Sequence, residues 1–185
     1  MDGTLTLAIH DFDEVRAQLD LPASEPILEA IARMPKQQAE ATHKRLDEIE
    51  FEIANRASAQ PGATELLDKL LASGCKIGIL TRNGKAIAEA TLRAAGLDGY
   101  FETDAVVSRD CCAPKRSPAG ILKLLEYWQA TPDDRCMAGD YLYDLQSGHD
   151  ASVATIHLDV NGVFSWPEIT TVGVTRLSQL LPLIK

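Results

Sequence analysis

Five residues of this chain have the types and spacing to do chemistry together. Asp2 opens the run Asp2-Gly3-Thr4, Thr81 closes the apolar run 75–80, Lys115 lies between Pro114 and Pro118, and Asp140 and Asp144 sit four apart in GDYLYD. Transfer of a phosphoryl group to a carboxylate needs an in-line nucleophile, a proton donor and acceptor, donors to the phosphate oxygens, and cations to offset charge. Thr81 offers a hydroxyl and Lys115 a point charge. Asp140 is a hard oxygen ligand, of which Mg²⁺ takes one or two. Asp144 stands one helical turn beyond Asp140 if that segment is helical, where it can orient Lys115 or a metal-bound water. Gly3 permits close backbone approach, so the N–H groups of Gly3 and Thr4 add donors. Each residue alone has an ordinary reading. Asp-Gly makes turns, a threonine ends many strands, a lysine sits on most surfaces, and an aspartate before a helix caps it. Their order along the chain carries the argument.

That order must be set by the elements between them. Residues 11–57 read as helix only, with Phe12, Val15 and Leu19 on one face, then Ile27, Leu28 and Ile31, then Leu46, Ile49 and Ile53. The other face of the last helix carries Lys44, Arg45, Asp47, Glu48, Glu50 and Glu52, a solvated charge run. After Gln60-Pro61-Gly62 the pattern changes. Leu66, Leu67, Leu70 and Leu71 make a short helix that stops at Gly74. The run 75–80 reads as a buried strand, 84–95 as a helix stopped by Gly96, and 104–107 as a short strand. Ser117 and Pro118 open a further helix as N-cap and first residue. Strands follow at 135–138 and 153–158, and a terminal helix at 177–183. Strands alternating with helices imply an α/β fold, a parallel sheet with helices on both faces. Polar loops beyond the carboxyl ends of such strands form the binding crevice. Thr81, the 108–116 loop with Lys115, and Asp140 with Asp144 all stand there.

The chain is 185 residues long, enough for one α/β domain and a modest insertion. Its 45% apolar and 24% charged residues describe a globular chain rather than a disordered one. A net charge of −9 argues against non-specific nucleic-acid binding. An acidic protein that handles phosphate must therefore bring in positive charge locally, from a metal, a lysine or helix N-termini. Cys75, Cys111, Cys112 and Cys136 show no C-x-x-C spacing and read as buried or idle reduced thiols. No apolar run approaches a membrane span and no signal segment opens the chain, so no membrane partner and a cytoplasmic setting are expected. Oligomeric state leaves no mark on the sequence.

The segments MDGTLT, ILTRN, APKRSP and GDYLYD resemble the four motifs of the haloacid dehalogenase superfamily, and 61–100 resembles its phosphoglycolate-phosphatase-like branch. The resemblance implies a Rossmann-like core, residues 1–8 and 58–185, with a small helical cap, 9–57, inserted as a lid that gates solvent. It implies Mg²⁺ as cofactor and a small phosphorylated metabolite as substrate. Asp2 then matches the second aspartate of D-x-D-G-T, the general acid/base whose backbone carbonyl also binds Mg²⁺. Gly3, Thr4, Thr81 and Lys115 bind phosphate, Asp140 binds the metal, and Asp144 supports the metal or Lys115. The chain departs from the pattern in Arg116, where proline often follows the lysine, and in Arg82, where asparagine often follows the threonine directly.

A third departure concerns the nucleophile. The first aspartate of D-x-D attacks phosphorus, and here the x is Met1. The expectation is that the native chain extends upstream, through a central strand ending in that aspartate. Such a strand buries apolar side chains worth ~10 kcal/mol gross, against a whole-domain stability of ~5–15 kcal/mol. A non-catalytic relative that binds phosphate and metal is the alternative. On the same fold, a 2-haloacid dehalogenase, which needs no metal, and a phosphomutase remain open.

Overall fold

The computed structural model describes residues 1–23 and 25–184. The expected domain ranges also take in Ser24 and Lys185, which lie outside the described residues. Apolar runs form the strands. Ile79–Leu80 (β1) pairs in parallel with Val106–Val107 (β2), and Cys136–Gly139 (β3), Ala154–Leu158 (β4) and Val172–Val174 (β5) form a second parallel ladder in that order. The helices are Phe12–Gln18 (α1), Ile27–Ala32 (α2), Lys36–Ala54 (α3), Ala63–Ala72 (α4), Lys85–Ala94 (α5), Ala119–Trp128 (α6) and Leu142–Asp150 (α7). This is the α/β architecture expected, with parallel strands joined by helices.

The N-terminal turn stitches the two ladders together. The Met1 carbonyl accepts from the N–H groups of Thr4, Leu5 and Thr6 at 3.1, 2.8 and 3.2 Å. Met1 packs into the cluster of Leu67, Ile79, Leu92 and Val106, with Leu5 against it. Leu5 also packs against the cluster of Ala63, Leu66, Leu158 and Val174 on the second ladder. Backbone bonds from Leu7 to Ser58 and from Gln60 to Leu5 then fix the point where the chain returns from α3.

Helices α1–α3 bury their apolar stripes against one another. Val15, Leu19, Ile31, Leu46, Ile49 and Ile53 form one cluster, distinct from those that line the ladders. Burial of Leu46, Ile49 and Ile53 alone stabilises α3 by roughly 1.5–3 kcal/mol each. Ala54 of α3 meets Ile87 and Ala90 of α5, which joins the helical unit to the core.

Several expectations change in detail. Phe12 does not join the apolar face of α1; it is exposed and stacks on His10 with ring centroids 5.5 Å apart. The run 75–80 is regular only at Ile79–Leu80, because β1 has a partner on one side only and that partner is two residues long. Residues Thr103–Ala105 close a 3₁₀ turn rather than extending β2, and Leu177–Leu183 is 3₁₀ rather than α, with Pro182 removing a donor within it. Pro118 occupies the cap position of α6, while Ser117 Oγ accepts the Ala119 N–H at 3.2 Å. Cys75 and Cys136 are exposed, not buried, and all four cysteines are free thiols.

Candidate functional site

The loops beyond β1 and β3, the 108–116 loop and the N-terminal turn meet at one cavity of about 570 Å³. Asp2, Gly3, Thr81, Lys115, Asp140 and Asp144 all line it. Thr4 stands just behind, buried, with its hydroxyl donating to Asp140 Oδ1 at 2.7 Å. All seven residues expected from sequence are therefore brought together. A wider groove of about 960 Å³ runs along α3 and the start of α5, past Asp47, Phe51, Lys85 and Arg109. It holds none of the seven.

Two glycines allow the approach. Gly3 has φ +76°, and a Cβ there would lie 2.2 Å from Asp140 Oδ2. A Cβ on Gly139 would lie 2.1 Å from Asp144 Cβ. Any side chain at either position would drive the acidic loops apart.

Thr81 is buried, held by its N–H to the Val107 carbonyl at 3.0 Å, and its Oγ1 accepts the Asn83 N–H at 3.1 Å. Lys115 Nζ donates to Asp144 Oδ1 at 2.7 Å, both side chains nearly enclosed. Asp144 also receives the Tyr141 N–H at 3.3 Å and so closes the first turn of α7. A pair this buried fixes the ammonium group, since removing either partner would strand the other charge. Asp2 accepts from Asn83 Nδ2 at 2.9 Å and from the Thr6 hydroxyl at 3.4 Å. Burial pushes the Asp140 carboxyl above its ordinary range, although the Thr4 hydroxyl works the other way. Burial, reinforced by Lys115, pulls the Met1 amine below its ordinary value.

The helical unit closes the cavity from the other side. His10, Phe12, Arg16, Glu25, Ile27, Leu46 and Glu50 contribute to its wall. Two core arginines reach across to it. Arg82 Nη2 donates to Glu29 Oε2 at 2.7 Å, and Arg109 forks to Asp47 Oδ1 at 2.5 Å and Glu50 Oε2 at 3.0 Å. Burial pushes Glu50 up to about 7, against the pull of Arg109. Sequence reasoning missed Asn83, Arg109 and Glu50 as participants. The Arg82-Asn83 pair was visible as a departure after Thr81; the partnership of Arg109 with α3 spans 59 positions and leaves no local signal.

The arrangement offers a hydroxyl, an ammonium group and a desolvated carboxylate around one cavity, with a second carboxylate, Asp2, held by an amide. That set suits a tetrahedral oxyanion and its counter-charge.

Residues 8–158 match the family described as haloacid dehalogenase-like hydrolase. The chain is 30% identical to an uncharacterized hydrolase of Saccharomyces cerevisiae over 193 aligned positions, covering 100% of this chain and 88% of that protein. It is 36% identical over 94 residues to a phosphoglycolate phosphatase of Nitrosospira multiformis, an alignment that takes in 50% of this chain and 40% of that enzyme. In fold it is similar to a hydrolase from Pseudomonas syringae, with a TM-score of 0.80 at 22% identity over 98% of this chain and 93% of the other.

Proposed function

We propose, from the premise that this chain belongs to the haloacid dehalogenase-like hydrolases, that it is a Mg²⁺-dependent phosphatase of a small phosphorylated metabolite. One observation carries the reading: Thr81, Lys115, Asp2, Asp140 and Asp144 line one cavity although they are spread from residue 2 to residue 144.

The residues present fit the metal. Mg²⁺ takes one or two carboxylates and completes its shell with phosphate and water oxygens. Asp140 offers Oδ2 in a cradle that only glycine leaves open, and burial pushes its carboxyl above the ordinary range. Among the described residues no three His, Cys, Asp or Glu side chains are grouped to hold a metal ion. Asp140 and the Asp2 backbone carbonyl would hold it. When bound, it offsets charge on the phosphoryl oxygens.

The protein's own groups then have separable roles. Thr81 and the backbone N–H groups of Gly3 and Thr4 donate to phosphate oxygens, and Lys115, steadied by Asp144, supplies fixed positive charge. The attacking carboxylate is assigned two residues ahead of Asp2, as D-x-D spacing requires. One observation supports this: each carboxylate at the inner end of the cavity is already engaged, Asp2 with Asn83, Asp140 with Thr4 and Asp144 with Lys115. As the carboxylate oxygen bonds to phosphorus, the ester P–O bond breaks and Asp2 gives its proton to the leaving oxygen. Water, losing a proton to Asp2, then attacks the same phosphorus. The aspartyl–phosphate bond breaks and phosphate leaves. Residues 9–57 act as the lid that keeps other water out.

Kinetics on a chain extended ahead of Met1 through that aspartate test the division of labour. Asp2→Asn should lower turnover about 10²–10⁴-fold with Mg²⁺ affinity nearly unchanged. Asp140→Asn should weaken Mg²⁺ binding as well as turnover. Equal loss of metal affinity in both would refute the assignment of Asp2. Turnover indifferent to a chelator would favour metal-free dehalogenase chemistry, and phosphate and Mg²⁺ binding without turnover a non-catalytic relative.

A further inference from the structure

Phosphoryl transfer leaves part of the cavity wall unused. Among the described residues, no protein partner reaches Arg82 Nη1, Arg16 Nε or His10 Nδ1, all buried atoms of residues that line this one cavity. Arg82 is the best fixed of the three. Its Nη2 donates to Glu29 Oε2 at 2.7 Å, and its guanidinium carbon lies 5.0 Å from the centre of the Tyr143 ring. Tyr143 is itself pinned by Arg116, which lies 4.3 Å from the ring centre and donates to its hydroxyl at 2.7 Å. The guanidinium group is thus held in place with one nitrogen engaged and the other free of protein acceptors.

Its position in the chain limits what it can meet. Arg82 follows Thr81, so their Cα atoms are about 3.8 Å apart. All three line one cavity of about 570 Å³, so a group received by Arg82 belongs to the same small ligand as the phosphoryl group received by Thr81 and Lys115. Glu25 and Glu50 line the same cavity, so a second negative charge there is tolerated only beside a cation. A planar guanidinium fork suits carboxylate or phosphate oxygens far better than a neutral hydroxyl.

We propose that Arg82 is a specificity-determining residue, whose free Nη1 receives a second anionic group, carboxylate or phosphate, on a short phosphomonoester, with Arg16 adding charge from α1. This rests on the phosphate-site reading above and names the substrate class that reading leaves open.

Calorimetric titration of the 185-residue chain with Mg²⁺ present tests it without requiring turnover. Three matched probes are used: 3-phosphooxypropanoate, propane-1,3-diyl bisphosphate and 3-hydroxypropyl phosphate. The better anionic probe should bind at least about 10-fold more tightly than the hydroxyl probe, and which of the two anions wins identifies the group. Arg82→Met should bring that ratio below about 3-fold. Glu29→Gln, which neutralises the partner of Arg82 but keeps the guanidinium group, should preserve or widen it. If circular dichroism shows Arg82→Met unfolded, Arg82→Lys replaces it, and the ratio must still fall because the fork is lost. Equal binding of all three probes, a ratio that survives the Arg82 variant, or an equal collapse in Glu29→Gln would overturn the proposal while leaving the phosphate site standing. Binding of none of the probes would overturn both.

Discussion

Lys115 and Glu50 show how differently two enclosed charges can be used in one cavity. Lys115 is matched by Asp144 at 2.7 Å in a pair almost closed to solvent. Glu50 shares Arg109 with Asp47, and burial still carries it up to about 7 from an ordinary value of 4.5. A carboxyl whose folded pKa is raised contributes stability that is complete below the unfolded value and is lost as pH rises through the folded one. Glu50 should therefore weaken the fold as pH climbs from about 4.5 to about 7, by roughly 2–4 kcal/mol at full effect. Glu50→Gln removes that titration, so urea unfolding should show the variant gaining on the parent between pH 5 and pH 8. An unchanged difference across that range would mean Glu50 is not raised. Asp2, Thr81, Lys115 and Asp140 were legible in sequence because each stands next to a turn or strand end that the chain itself announces. Glu50 was not, because on α3 it sits among Glu48 and Glu52 and looks like one more solvated acid.

Among the elements, α3 decides how the helical unit meets the core. Its inner face carries Leu46, Ile49 and Ile53 into the cluster with α1 and α2, and its C-terminal end touches α5 through Ala54. The 3.6-residue period of the sequence already marks that inner face. What the period could not supply was the ionic contact with the 108–116 loop, since a charged flank carries no sign of which charge is covered. Arg109 makes both arms, to the half-exposed Asp47 and the enclosed Glu50. Arg109→Ala should cost about 2–4 kcal/mol, more at pH 8 than at pH 6, because it strands a buried acid that is charged only at the higher pH. Asp47→Ala should cost less than about 1 kcal/mol. Thermal melts of the two variants at both pH values check this, and equal costs would show that Glu50 is not the arm that matters. The strands were harder to read than the helices. The run 75–80 is apolar enough for a full strand, yet only Ile79–Leu80 is regular, because ladder length is set by partners and not by composition.

Over the whole molecule, two short parallel ladders and a helical unit converge on a space ringed by acids, in a chain whose net charge is already −9. The proposed phosphate site needs positive charge concentrated locally, and Lys115 and Arg82 both line the cavity. The N-terminal turn, through Met1 and Leu5, is what spans the two ladders. No periodicity extends across this junction, so it was not legible in the sequence. The proposed function assigns the phosphoryl group to an aspartate two residues ahead of Asp2. Its most direct test is peptide mass spectrometry after acid quench, with acetyl phosphate and Mg²⁺ supplied to two proteins, the 185-residue chain and the same chain extended ahead of Met1 by an apolar strand ending in aspartate. The account predicts one hydroxylamine-labile phosphoryl group on the added aspartate and none on the 185-residue chain. A phosphoryl group on Asp2, Asp140 or Asp144, or Mg²⁺-dependent turnover by the shorter chain, would contradict it.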